Sequence, residues 1–433
     1  MEQPTQNIWA RYGFNDNPFD TKALSITNNL PIEKAYIERE NYKSIGGIMD
    51  YFLEIPGGGR IIVEGDSGVG KTTFVNYHKY KWQIIQGQNR LFSPETEISV
   101  QKSWRLEDFI INALGSLVGQ LRLEIGEKIF NRQKILKEIL SITGVLIQSD
   151  RGLSANVGIP TIAGIGGSLS RSTSVTVGKN LEHNLAMYLN KLVQFIRSLD
   201  YRGVILHFNN MELLQRKNEN DLIDMFEGIR DILQTNNIYF VFVGGSSLFQ
   251  RVILPLDRVR SIFYDEPIVI TPFTENHILE IIEERYKILG TGNRWIKPVN
   301  DEVILYLYKC FKGGIRDVMN TITNLMSRIP EGFVNTLNID NVMDKLLDIE
   351  LQKLRNQDLS DIDIVILKEI SKEKKFNNST LVANTSKSKQ HINKFIHKFL
   401  NLELIVFSEN IGRSTYYELG PRLNLLSYLM NQK

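Results

Sequence analysis

Apolar and polar positions follow three different textures along this chain. The runs Arg60-Ile61-Ile62-Val63, Gly203-Val204-Ile205-Leu206-His207-Phe208 and Ile238-Tyr239-Phe240-Val241-Phe242-Val243 are continuous, β-branched or aromatic, and short, which predicts strands buried on both faces. Between them apolar residues recur at helical spacing, as in Phe109, Ile110, Ala113, Leu114, Leu117 and Leu121 of a stretch from Asp108 to about Leu140, and again from Leu181 to Leu199. Strands that alternate with helices predict an α/β unit with a parallel sheet covered on both faces, because each strand needs a crossover to return in the same direction. After Pro272 the pattern is wholly helical to about Leu354, and from Asp358 it reads helix, helix, helix and two short strands.

The third texture covers residues 144–179, rich in Gly, Ser and Thr and alternating at Leu153, Ala155, Val157, Ile159, Val175 and Val177. This alternation predicts an inserted β-hairpin with its tip near Thr161 to Gly167. It is either a tongue that touches a neighbouring subunit, DNA or a partner, or a strand pair packed on its own domain. The resulting division is a segment 1–58, a sheet-bearing core 59–271 carrying the 144–179 insertion, a helical unit 272–354 and a C-terminal domain 355–433. At 433 residues the chain exceeds what one hydrophobic core supports, in keeping with several units.

Composition narrows the function classes. Apolar residues make up 42% and charged residues 23%, so the chain folds, and 51 Lys plus Arg against 49 Asp plus Glu leave any nucleic-acid surface to local clustering. The single cysteine, Cys310, stands in an apolar stretch, rules out an intrachain disulfide or Cys-based zinc site, and fits a reducing, cytoplasmic setting. No signal pattern and no membrane-spanning run is expected. His391 and His397 lie six apart on one helix and suit no two-ligand metal face.

One motif carries chemistry. Gly65-Asp66-Ser67-Gly68-Val69-Gly70-Lys71-Thr72 fits G-x-x-x-x-G-K-[ST] and stands after a buried strand and before a helix, where a phosphate loop must stand. Such a loop turns backbone N–H groups onto phosphate oxygens, and Gly65, Gly68 and Gly70 supply the unusual dihedrals and close approach that this requires. The helix that follows aims its positive end at the anion, Lys71 is expected on the β- and γ-phosphates, the Thr72 hydroxyl on Mg²⁺, and Thr73 beside the α-phosphate.

With that motif, the further spacing resembles the AAA+ superfamily of P-loop ATPases, and within it the origin-recognition and helicase-loader clade. Tyr12-Gly13-Phe14, Asn17-Pro18-Phe19 and Arg39-Glu40 look like that clade's entry segment, which implies that Tyr12 and Phe14 lie against adenine. Asp257 to Phe263, followed by Ile268 to Phe273, is similar to the stretch that carries the arginine finger and leads into the lid. The resemblance therefore implies a homo-oligomer in which Arg258, or else Arg260, reaches a neighbour's γ-phosphate; the alternative is a solvated surface charge. Gly313-Gly314-Ile315-Arg316-Asp317 looks like sensor 2, with Arg316 on the phosphate or simply at a helix start, and sensor 1 is implied at Ser246 or Ser247. ATP and Mg²⁺ are the cofactors implied.

One departure bears on activity. Where the superfamily places an aspartate and a glutamate at a strand end, this chain has His207-Phe208-Asn209-Asn210-Met211-Glu212. An asparagine carbonyl accepts a water of the Mg²⁺ shell but brings no charge and cannot act as a base. Glu212 either supplies the missing carboxylate or caps the next helix. The expectation is an ATPase that turns over slowly, or a switch.

The C-terminal order resembles winged-helix domains. A helix from about Lys387 to Leu400 carries Lys387, Lys389, Lys394 and Lys398 without an acidic residue, and Ser408 to Ser414, with Arg413 at its tip, has the composition of a wing. Lysines suit phosphate contact, and Ser386, Ser388, Gln390 and Asn393 suit base edges, so duplex DNA is the expected partner and a protein dock the alternative. Two functions follow. One is an ATP-controlled, DNA-binding assembly factor of the initiator, loader or target-selector type. The other is a regulatory ATPase of a defence or signalling system that activates a companion effector protein.

Overall fold

The structure, a computed structural model, describes residues 7–38, 42–85, 89–150, 181–215, 219–292, 294–356, 359–373, 375–402, 404–412, 414–420, 423 and 425–426. It contains two compact units, one of Ala23–Thr271 and one that joins the N-terminal residues up to Lys22 to everything from Pro272 onward. The expected N-terminal segment 1–58 is thus divided between them.

The first unit is built on six strands: β1 (Gly58–Glu64), β2 (Leu91–Phe92), β3 (Ile98–Ser99), β4 (Gly203–Asn209), β5 (Ile238–Gly244) and β6 (Ile268–Val269). Their order is β2-β4-β5-β1-β6, with β3 also on the outer edge of β4, and every pairing is parallel. Every residue of β4 and β5 is buried, as their unbroken apolar runs require. Side chains alternate between two cores at the two-residue period of a strand. Val204, Leu206, Phe208, Ile238, Phe240 and Phe242 face helices Leu106–Phe130, Leu181–Arg197 and Glu219–Gly228. Ile205, Tyr239, Val241 and Val243 face helices Tyr42–Glu54 and Lys71–Tyr80.

On that second face one carboxylate organises the packing. Asp50, on helix Tyr42–Glu54, accepts hydrogen bonds from His78 Nδ1 (2.9 Å), Trp82 Nε1 (3.0 Å) and the Lys81 ammonium. Burial works against the Asp50 charge, but these donors and the His78 charge outweigh it and lower its pKa to about 2. The helix is thereby fixed against the one that opens with the phosphate loop.

Helix Lys134–Asp150 changes one expectation. Residues 144–150, assigned to the start of the hairpin, are helical and continue that helix. The rest of the insertion, 151–179, lies outside the described residues.

The second unit begins with helices Glu275–Leu289, Asp301–Cys310, Ile315–Met326 and Ile339–Arg355, the first, second and fourth capped by Thr274, Asn300 and Asn338. Cys310 is buried, and burial raises its thiol to about 12, as suits a small core hydrophobe. Helices Asp361–Ser371, Asn378–Thr385 and Lys389–Asn401 follow, with β7 (Phe376–Asn377), β8 (Ile405–Ile411) and β9 (Ser414–Leu419) in the antiparallel order β7-β9-β8. Their core gathers Ile366, Leu367, Ile370, Leu381, Ile392, Ile396 and Phe399. This arrangement is compatible with a winged helix. It differs from expectation in a third strand, β7, and in a tight hairpin, since most of the wing segment is paired strand. No helix among the described residues is long and apolar enough to cross a membrane.

Candidate functional site

The C-terminal ends of β1, β4 and β5 lie side by side, where open parallel sheets hold their ligands. The phosphate loop leaves β1 there. Gly68 (φ 78°) and Gly70 (φ 95°) take left-handed conformations, and a Cβ on Gly65 (φ 153°) would stand 2.3 Å from the Ile270 carbonyl oxygen. Gly70 leads into helix Lys71–Tyr80, whose first turn carries no acidic residue to oppose an anion. Val69 is buried in the sheet core, while Asp66 and Ser67 are exposed. The Lys71 ammonium donates to the carbonyl oxygens of Gly65 and Asp66, both at 2.7 Å. Left-handed glycines, an ammonium held at the loop and a helix start fit a nucleotide's phosphates.

At the end of β4 the amide Nδ2 of Asn209 donates to Thr72 Oγ1 at 3.1 Å, so the two residues expected to hold Mg²⁺ touch. Asn210 has a left-handed backbone (φ 64°) and donates through Nδ2 to Ser99 Oγ on β3 at 2.7 Å. Glu212 opens a short helix beside Gly245, and its Oε2 is buried without a hydrogen-bond partner among the described residues. Glu64, buried at the end of β1, accepts from Phe249 N at 2.9 Å. Thr73, expected beside the α-phosphate, takes the Leu24 N–H on its Oγ1 at 3.4 Å. From the end of β5, Ser246 Oγ donates to Asp66 Oδ1 at 2.7 Å, next to Ser247 in a left-handed conformation (φ 67°).

Beneath Asn209 on the same strand face, both ring nitrogens of buried His207 have no hydrogen-bond partner among the described residues. Burial, with the Lys79 charge beside it, holds this imidazole well below its ordinary pKa, so it is neutral. Lys79 is itself buried and donates to the Glu95 carbonyl at 3.0 Å; burial lowers its pKa to about 8 against the pull of Glu97 and Glu95.

The remaining expected residues stand on other elements. Arg258 and Arg260 share the short helix Asp257–Arg260, with both side chains exposed and in no ion pair among the described residues. Arg316 is exposed in the first turn of helix Ile315–Met326. Tyr12 and Phe14 are fully buried. Phe14 stacks on Tyr286 at 5.3 Å, Tyr12 Oη donates to the Asn335 carbonyl at 3.3 Å, and Arg285 fixes the segment by donating to the carbonyls of Pro18 and Asp20. Both rings are engaged in packing within their own unit. Arg39-Glu40 and Arg413 lie outside the described residues.

On the basic helix, Ser388 caps the start by accepting from His391 N, which leaves Lys387 in the preceding turn. Lys387, Lys389 and Lys394 are exposed. Lys398 is corrected: its ammonium donates to buried Asp363 at 2.7 Å and bridges two helices instead of joining a surface patch. Burial opposes the Asp363 charge, and Lys398 with Ser360 overcomes it to lower that pKa. Sequence reasoning missed Ser99 and the Asp66–Ser246 pair, which local spacing does not reveal because the partners meet only across the sheet.

No family model matches the sequence, and no curated protein matches it. Among solved structures, it is similar to the Aeropyrum pernix ORC2 protein in ADPNP-ADP complexes, with TM-score 0.47 and 12% identity over 97% of this chain and 98% of that one. It is similar to the Aeropyrum pernix ORC1 protein in complex with DNA, with TM-score 0.42 and 12% identity over 90% and 92% of the two chains. It is also similar to Cdc6p from Pyrobaculum aerophilum, with TM-score 0.42 and 13% identity over 96% and 97%.

Proposed function

We propose that this chain is an ATP-binding switch of the AAA+ initiator type that binds duplex DNA through its C-terminal domain and hydrolyses ATP slowly. The observation that carries this reading is the meeting of the phosphate loop with Asn209 at the strand ends, without a carboxylate at 209 or 210. Glycine-lined N–H groups and Lys71 bind the triphosphate. Thr72 Oγ1 and the Asn209 amide, turned to present its oxygen, hold Mg²⁺. A bound Mg²⁺ neutralises charge on the phosphate oxygens. Asparagines at both acidic positions leave no general base there, so binding outlasts turnover. Exposed Arg258 or Arg260 reaches the triphosphate of a second copy, which ties assembly to nucleotide state. Lys387, Lys389 and Lys394 supply phosphate contacts to DNA.

The test is gel filtration with and without ATP and duplex DNA, on wild type and Lys71→Ala, beside a steady-state turnover assay. The expected result is a nucleotide-dependent shift that Lys71→Ala loses, with turnover near background. Brisk hydrolysis abolished by Glu212→Gln rejects the slow-switch reading, and an absence of nucleotide affinity rejects the site altogether.

A further inference from the structure

The end of β4 offers amides where a metal site would hold charge. Buried Asn209 donates through Nδ2 to Thr72 Oγ1 at 3.1 Å, and its main-chain carbonyl accepts the Val100 N–H at 3.0 Å. Asn210 donates through Nδ2 to Ser99 Oγ at 2.7 Å. Each amide thus ties the strand end to a hydroxyl, one on the helix that opens after the phosphate loop and one on β3. Among the described residues no group of three His, Cys, Asp or Glu side chains stands ready to hold a metal ion, so no cage built elsewhere makes up for the missing charge.

These bonds set what a cation meets at Thr72. The Asn209 amide already occupies one lone pair of the Thr72 oxygen, and it does so with the positive end of an N–H dipole. Turned over, it offers an oxygen, but the bond is then broken and the amide still brings no net charge. Mg²⁺ sheds water reluctantly and is ordinarily held by one or two carboxylates together with substrate phosphates. Anion binding by the phosphate loop has no such requirement, because its backbone N–H groups, Lys71 and the helix start act on phosphate oxygens directly.

We infer that this site binds ATP with nearly the same affinity whether or not Mg²⁺ accompanies it, because Asn209 leaves the metal to the triphosphate and water. This inference rests on the nucleotide-site reading above and specifies which form of the ligand that site accepts. Linkage turns it into a measurable quantity. The ratio of the ATP dissociation constant without metal to that with metal equals the factor by which the protein raises the metal's affinity for the triphosphate. Losing a group from the shell around a metal weakens its binding by about 10- to 100-fold, so a site without that carboxylate should show a ratio below about 10.

The experiment measures the ATP dissociation constant of the full chain by isothermal titration calorimetry, once with excess EDTA and once with excess MgCl₂ at matched ionic strength. Wild type is expected to give a ratio below about tenfold. Asn209→Asp, alike in shape, is expected to raise that ratio by about 10- to 100-fold and to tighten binding in MgCl₂. Should this variant fail to fold, the wild-type ratio decides alone. A wild-type ratio of about tenfold or more overturns the inference, and its collapse in Glu212→Gln would then assign the metal to Glu212. An Asn209→Asp ratio equal to that of wild type overturns it as well, since the amide would not be the cause. Wild type that binds ATP in neither condition better than Lys71→Ala overturns the nucleotide site itself, a result distinct from these.

Discussion

Asn209→Asp with Asn210→Glu would place two carboxylates at the end of β4, where the phosphate loop already meets Asn209. The structure sets both the cost and the gain. Asp at 209 keeps the shape of Asn, and the Thr72 hydroxyl, now 3.1 Å from Nδ2, turns to donate to it, so this change alone is nearly neutral. Position 210 is harder. Its backbone is left-handed, at φ 64°, which asparagine tolerates and glutamate adopts at a cost of about 1 kcal/mol. The hydrogen bond from Nδ2 to Ser99 Oγ is also lost, worth about 1 kcal/mol more. A total of about 2 kcal/mol is expected to lower the melting temperature by roughly 4–8 °C. Against this, a carboxylate positioned as general base contributes about 10²- to 10⁴-fold to the rate. Steady-state phosphate release with Mg²⁺ and saturating ATP is therefore expected to rise by about 100-fold or more over wild type. A double variant that stays folded, keeps its ATP affinity and still turns over at the wild-type rate would refute the argument that missing carboxylates limit this site.

Three more changes follow from the same geometry. Asp50→Asn removes a charge whose pKa is lowered to about 2, and the gap from 3.8 corresponds to about 2 kcal/mol at neutral pH. Because the folded pKa lies below the unfolded one, wild type should lose this contribution as pH falls from about 4 toward 2. Denaturant melts at pH 7 and pH 2.5 should therefore show the variant gap closing, and a gap independent of pH would exclude the carboxylate as its source. Gly65→Ala puts a Cβ 2.3 Å from the Ile270 carbonyl and should abolish nucleotide-dependent thermal stabilisation; unchanged stabilisation would mean the loop does not grip phosphate in this conformation. Lys389→Ala and Lys394→Ala should each reduce the slope of log K for duplex DNA against log salt by roughly 0.9. Lys398→Ala should instead leave that slope intact and lower stability by about 1–2 kcal/mol, since buried Asp363 then keeps only its Ser360 donors and no counter-charge. Equal slopes for all three lysine variants would remove the distinction.

What the sequence disclosed of the fold follows the range of the forces involved. Strands β1, β4 and β5 are legible because each is a buried run whose neighbours on both faces are apolar, so composition alone marks them. Strands β2, β3 and β6 contribute two residues each and exist only because a longer strand offers them its edge, a long-range pairing without local signal. At 144–150 the expected start of the hairpin is instead helix, while the alternating positions Leu153 to Val177 lie outside the described residues. The burial of Tyr12 and Phe14 was equally hidden, since their partners, the Asn335 carbonyl and the Tyr286 ring, lie far along the chain.

The site divides along the same line, and its carboxylates show how. The phosphate loop is a local motif, and its glycines take the backbone conformations that its letters require. The acidic groups around it have roles that only the fold assigns. Glu64 accepts from the Phe249 N–H through one oxygen and Asp66 from the Ser246 hydroxyl through one of its own. Glu212 alone keeps a buried oxygen without a donor among the described residues, an arrangement that costs stability unless a ligand or water supplies the proton. The two asparagines therefore do more than remove charge from the end of β4. On the reading proposed above, they leave Glu212, beside Gly245 and two residues beyond Asn210, as the carboxylate to test for any residual hydrolysis.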